Sequence, residues 1–145
     1  MYKRISNSKV RDAGKYRYSD LGYYLIHKIL NQVHDCDLAI DSLSNKWFYE
    51  PLGLYSMGFN PLEKHRIGID EIAPTEIDTI FRKRTVQGYV HDPGAALLGG
   101  VCGHAGLFSD AHDLTRLGQM LLNGGYALGY NFYSQTGNTV ETWTS

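Results

Sequence analysis

The chain has 145 residues, 43% of them hydrophobic, 12% aromatic and 20% charged, with a formal charge of -1. That length suits one domain able to bury roughly 68–70% of its unfolded surface, and the apolar content excludes disorder. No apolar run approaches the roughly 20 residues of a membrane helix, and the balanced charge offers no global field to recruit nucleic acid.

In chain order, residues 1–15 are polar and read as a lead-in loop. Met1 to Ile5 is basic but has no apolar stretch behind it, so no secretory signal is visible. From Ser19 to about His34 the spacing predicts a helix. Leu21, Tyr24, Leu25, Ile29 and Val33 recur at three and four, and Ile26 and Leu30 widen the apolar face. Ser19 or Asp20 is its natural N-cap, and so broad a stripe implies a helix mostly covered by other structure. A second helix is expected from about Leu38 to Tyr49, stopped by Pro51 and Gly53. Met57 to Gly68 reads as irregular chain with short extended pieces. Ile72–Asp78 and Thr85–His91 are candidate strands separated by Arg82-Lys83-Arg84. Pro93 to Gly106 reads as a glycine-rich loop. A third helix starts at Ser109 with Asp110 and Asp113 in its first turn. Leu114, Leu117, Leu121 and Leu122 form its apolar face, and Asn123-Gly124-Gly125 ends it. From Tyr126 the tail is aromatic and polar without a clear period.

Few segments carry chemistry by residue type alone. Tyr18-Ser19-Asp20 places a phenol just before a helix N-terminus, where positive partial charge favours phenolate and suits a general base. The plainer reading is a core tyrosine followed by an ordinary cap. Gly99 to Gly106 lacks both the Gly-Lys-Ser/Thr ending of a P-loop and the G-x-G-x-x-G of a dinucleotide fold. A tight loop with close backbone approach fits it better. His104 within it is a candidate base or ligand, or simply a turn residue. His91, Asp92, His104, His112 and Asp113 are the possible metal ligands, yet none forms a compact motif, and no metal or other cofactor is expected. Cys36 and Cys102 are too few for a disulfide framework and read as small buried hydrophobes. Arg82-Lys83-Arg84, offset by Asp70, Glu71, Glu76 and Asp78, reads as solvated surface. Ser6-Asn7-Ser8-Lys9 spells S-x-x-K, but without a helical pattern after it, and is read as a chance match. No G-x-S-x-G elbow is present.

Three ordered blocks together resemble the serine β-lactamase and penicillin-binding-protein-like superfamily, in its class C-like and esterase-like branch. Tyr16 to Leu25 is similar to the family's Tyr-Ser-Asn or Tyr-Ser-Asp segment opening a helix. Phe48-Tyr49-Glu50-Pro51-Leu52-Gly53-Leu54 resembles its Pro-Leu-Gly-Met turn. Gly103-His104-Ala105-Gly106-Leu107-Phe108-Ser109, continuing to Leu122-Asn123-Gly124-Gly125, is similar to its glycine–serine block followed by an amphipathic helix. The resemblance spans roughly residues 16–125, leaving 126–145 as a tail.

The resemblance implies an α+β fold, mainly the helical subdomain and adjoining segments of a β-lactamase/DD-peptidase-like domain with a few short strands. It implies a serine hydrolase working through an acyl-enzyme on small β-lactam, D-Ala-D-Ala-like, ester or peptide substrates. Tyr18 would act in proton transfer, Asp20 would orient substrate or lysine, and His104 would touch substrate. The family's Ser-x-x-Lys helix belongs upstream of Tyr18 and its Lys-Thr-Gly or His-x-Gly strand after the third helix. His104-Ala105-Gly106 matches the last string, but ahead of the expected place. The chain therefore reads as an internal fragment, inactive by itself, able to self-associate through exposed apolar helix faces. A periplasmic or extracellular parent is implied by the same resemblance. Asp20 replaces the usual asparagine, and an ionised carboxylate cannot donate the hydrogen bond an amide can. The rival readings are a non-catalytic module gripping peptide or glycan, and a metal-dependent hydrolase using His91, His104 and His112.

Overall fold

A computed structural model of the chain describes residues 2–9, 14–33, 40–64 and 67–135. Within them the fold is α+β, helices alternating with short antiparallel ribbons. The elements are α1 (Tyr2–Ser6), α2 (Leu21–Val33), α3 (Ile40–Ser44), a π turn (Asn45–Tyr49), α4 (Glu50–Leu52), β1 (Gly58–Phe59) and α5 (Pro61–Lys64). After a 3-10 turn (Ile69–Glu71) come β2 (Pro74–Asp78), β3 (Arg84–Gln87), α6 (Pro93–Leu97), β4 (Leu107–Phe108), α7 (Ala111–Leu122), β5 (Tyr126–Ala127), β6 (Tyr130–Asn131) and α8 (Phe132–Gln135). The ribbons are β1 with β4, β2 with β3 and β5 with β6, so one joins chain segments about fifty residues apart. No described helix is long and apolar enough to cross a membrane.

The lead-in differs from the expected loop, because α1 forms there and docks on α2. Tyr2 Oη lies 3.2 Å from His27 Nδ1, and the Lys28 ammonium sits over the Tyr2 ring. The second helix also runs further than expected. Pro51 has no N–H to donate to a carbonyl one turn back, and its ring crowds that carbonyl. The chain answers with a π turn directly before it and carries on to Leu52, where Gly53 at φ +67° ends the helix. The expected helix ends at His34 and Leu38, together with Cys36, lie outside the described residues.

Two cores result. Tyr49, Leu52, Leu54, Met57, Met120 and Phe132 form the larger one, joining the π turn, α7 and the tail. Val90, Ala95 and Cys102 form the second, with Tyr24 and Tyr89 packed against it. Cys102 is a buried free thiol, the small hydrophobe expected of it.

α7 starts where Asp110 accepts a hydrogen bond from the Asp113 N–H at 2.8 Å, and Asn123-Gly124-Gly125 closes it. Its inward row differs from the expected one. Asp113, Leu117 and Met120, at four- and three-residue spacing, face the core, while Leu114, Leu121 and Leu122 on the neighbouring row stay exposed. α2 shows the same pattern, since Leu21, Leu25, Ile26 and Ile29 are exposed and the described residues do not provide the expected cover.

The β2–β3 hairpin turns on Asp78, whose carboxylate accepts from the N–H groups of Ile80, Phe81 and Arg82 at 2.8–2.9 Å. Those hydrogen bonds hold its carboxyl below the usual range. Arg82 is not the solvated side chain expected. Its guanidinium folds back to Glu76 and to the carbonyls of Val90 and His91, leaving 11% of the side chain exposed.

The buried Asp113 carboxylate bonds the Ser56 N–H at 2.7 Å, the Ser56 hydroxyl at 2.8 Å and the Met57 N–H at 3.2 Å. Asp113→Ala would strand these donors beside the larger core and should lower the unfolding free energy by about 3 kcal/mol. Ser56→Ala, which removes one hydroxyl, should cost about 1 kcal/mol. Urea denaturation of the two variants checks the ranking.

Candidate functional site

Tyr18, Ser19 and Asp20 form the turn that leads into α2. The Ser19 hydroxyl accepts from the Leu21 N–H at 3.2 Å, and the Asp20 carbonyl accepts from the N–H groups of Tyr23 and Tyr24. Ser19 therefore supplies the side-chain cap, which frees the Asp20 carboxylate to turn outward. It accepts a hydrogen bond from Tyr18 Oη at 2.7 Å. Tyr18 is exposed.

This contact reverses the direction expected for the Tyr18 proton. The helix terminus alone favours phenolate, but the hydrogen bond to Asp20, and then the negative charge of that carboxylate, raise the phenol above its ordinary value. As placed, Tyr18 is a proton donor held by an acceptor. Any base role requires Asp20 to find another partner first.

His104 occupies a different setting. Its imidazole is 4% exposed, with Nε2 3.0 Å from Asp92 Oδ1. A carboxylate only accepts, so Nε2 carries the hydrogen. Nδ1 is buried without a hydrogen-bond partner. The Tyr24 ring meets the imidazole edge-on at 4.9 Å, and the Tyr23 ring lies 6.1 Å away. Asp92 is also the N-cap of α6, accepting from the Ala95 N–H at 2.6 Å. Burial pushes its carboxyl up, but the Ala95 N–H and His104 outweigh that and hold it below the usual range. Tyr24 is raised by burial first, with the Asp92 charge adding to it.

The glycine segment is partly helix, α6, rather than loop throughout. Asp92-Pro93 is the missed signal, a cap followed by proline at the first helical position. The remainder is the expected tight turn. A Cβ at Gly106, where φ is +108°, would lie 2.2 Å from the Gly100 carbonyl oxygen, and one at Gly100 would lie 2.3 Å from Asn60 Oδ1.

The metal reading with His91, His104 and His112 is not assembled. His91 pairs with Glu76 at 2.7 Å, His104 with Asp92, and His112 lies 3.4 Å from Asp113. The metal-sized group among the described residues is instead Asp110, His112 and Asp113, in which one Asp113 oxygen already serves Ser56 and Met57. Ser6 and Lys9 are not a nucleophile pair either. Ser6 ends α1 with its hydroxyl turned to the carbonyls of Tyr2 and Lys3, and Lys9 lies beyond the helix.

Among curated proteins, relatives from Salmonella paratyphi B and Salmonella newport, each named "Putative D-alanyl-D-alanine carboxypeptidase", are 39% identical over 122 residues. The match covers 77% of this chain and 28% of each relative, so the chain spans about a quarter of the length of the relatives it matches. This similarity is consistent with the penicillin-binding-protein and β-lactamase-like resemblance. No family model and no solved structure matches.

Asp20→Asn removes the charge while leaving a group of the same shape. The Tyr18 phenol should then titrate at lower pH than in the unaltered chain, following the loss of the anionic acceptor. The ring-carbon NMR signal of Tyr18 reads the change directly; an unchanged midpoint would show that Asp20 does not hold the proton.

Proposed function

We propose that these residues form the Tyr-Ser-Asp-bearing part of a serine peptidase or related acyl hydrolase of the penicillin-binding-protein and β-lactamase-like superfamily. The observation that carries this reading is the Tyr18–Asp20 hydrogen bond at the head of α2, which presents both groups in the order of the family's middle motif. The named relatives support a D-alanyl-D-alanine-type substrate for the whole protein. In the acyl-transfer step, a serine activated by lysine would attack the substrate carbonyl, and the leaving amine or alcohol would need a proton. Tyr18 carries one, held by Asp20. An ammonium group brought near Asp20 would compete for the carboxylate and free the phenol to pass its proton to the leaving group. The phenolate left behind would take a proton from that ammonium, so Asp20 gates the transfer.

The isolated chain would not acylate, since no serine hydroxyl among the described residues is hydrogen-bonded to a lysine or histidine. Ser56 meets the buried Asp113 carboxylate, which is already filled by backbone donors. Intact mass after exposure to a β-lactam and to a fluorophosphonate should therefore show no adduct. Replacing the matching segment of the Salmonella newport relative with that of this chain should restore stoichiometric acylation wherever the relative itself is labelled, and Tyr18→Phe should reduce its rate by about 10² or more, the scale of positioned proton transfer. An adduct on the isolated chain would overturn the division of the site. A folded chimera that stays unlabelled would favour a non-catalytic module for peptide or glycan.

The open α2 row fits a seat for the rest of such a protein. Ile26 and Ile29 are 51% and 54% exposed, next to Leu25 and Leu21. Uncovered, a row of this kind drives association. Light scattering should show the chain alone associating as concentration rises, and Ile26→Glu with Ile29→Glu should return it toward a monomer. A monomer at every concentration would count against the seat.

A further inference from the structure

α2 carries the Tyr18–Asp20 turn yet offers most of its apolar row to solvent, so its placement depends on few contacts. α1 meets it at His27, and α3 also packs against it. Its first turn is held by a socket for Tyr24, built by α6 and the glycine turn. The hydroxyl end of Tyr24 lies so close to Gly94 that a Cβ there would stand 1.9 Å from its oxygen. Val90, Ala95 and Cys102 line the apolar side, and His104 closes the socket edge-on. Tyr23, on the same helix, lies over Gly103, where a Cβ would stand 3.4 Å from its ring.

We propose that His104 is a positioning residue. Braced by Asp92, its imidazole locks Tyr24 and Tyr23 and thereby fixes the Tyr18–Ser19–Asp20 turn against the glycine turn. A direct role at the substrate is disfavoured by the same geometry, because one ring nitrogen is committed to Asp92 and the other is buried. The brace is economical in residues. Asp92 Oδ1 receives both His104 and the Ala95 N–H, so one carboxylate starts α6 and orients the imidazole. Tyr24 in turn follows Asp20 by one helical turn, with its N–H directed at the Asp20 carbonyl. This role rests on the proposed reading of Tyr18 and Asp20 as proton-transfer groups.

The test is residue-resolved hydrogen exchange on the 145-residue chain. In His104→Leu, amides 21–29 should exchange about tenfold faster while amides 113–121 keep their rates, since local opening is separable from global unfolding. His104→Gln, whose amide can still donate to Asp92, should recover part of the protection. A side chain that only filled space would shift both sets together or neither, and either pattern overturns the proposal. If His104→Leu does not fold, Gly94→Ala presses on the same brace from the other wall of the socket. Its methyl would stand 1.9 Å from the Tyr24 hydroxyl oxygen and 3.1 Å from the Asp92 Oδ1 that holds His104. Faster exchange at 21–29 alone is again expected, and unchanged exchange there overturns the proposal. Failure here leaves acylation of the chimera intact, and failure of the acylation reading leaves the exchange pattern intact.

Discussion

The Asp113 carboxylate is the constraint from which the larger core is organised. A buried charge is tolerated only when its lone pairs are filled, and here backbone and hydroxyl donors from Ser56 and Met57 fill them. That requirement fixes the start of α7 against the segment leaving α4. With the end of α7 carrying Met120, the geometry then decides which residues close the core: Tyr49, Leu52 and Met57 from one side, Phe132 from the other. It also decides what stays outside. Once Asp113, Leu117 and Met120 point inward, Leu114 and Leu121 are rotated toward solvent by helical geometry alone.

How far the sequence could be read follows from which forces are local. α2 and α7 were legible because their apolar periods, caps and glycine stop are written within one helix length. The β2–β3 pair was legible from β-branched content, though β2 and β3 are shorter than expected. What escaped was set by contacts distant in sequence. Asp113 read as a charge suited to a helix dipole, and only the fold shows that it is an acceptor for a turn 57 residues earlier. The inward row of α7 could not be chosen while Asp113 counted as polar surface. Arg82 read as solvated for the same reason, since its partners at Val90 and His91 are contributed by the strand's continuation.

The candidate site divides in the same way. Tyr18 and Asp20 could be named as candidates because they are two residues apart and the family pattern they resemble is contiguous. The direction of the Tyr18 proton was misjudged because the helix terminus was weighed without the nearer carboxylate. A hydrogen bond of 2.7 Å to a full negative charge outweighs half a charge spread over the first turn. For His104 the residue was visible but its burial was not, since the brace needs Asp92 twelve residues away and a ring from α2.

The two halves of the site impose opposite demands on α2. On the proposed function its head presents Tyr18 and Asp20 to solvent and has to be held still, since proton transfer loses efficiency steeply with misplacement. Its length displays an apolar row that the described residues leave open. A helix held by its whole face would satisfy the first demand but close the surface. Gripping the first turn by an inserted ring, Tyr24, while α1 and α3 meet the helix further along, satisfies both, because the row of Ile26 and Ile29 is left available. Gly94 is what makes that grip possible: with any side chain there, the hydroxyl of Tyr24 could not reach its place, and the head of the helix would have to be secured through the surface it now keeps free.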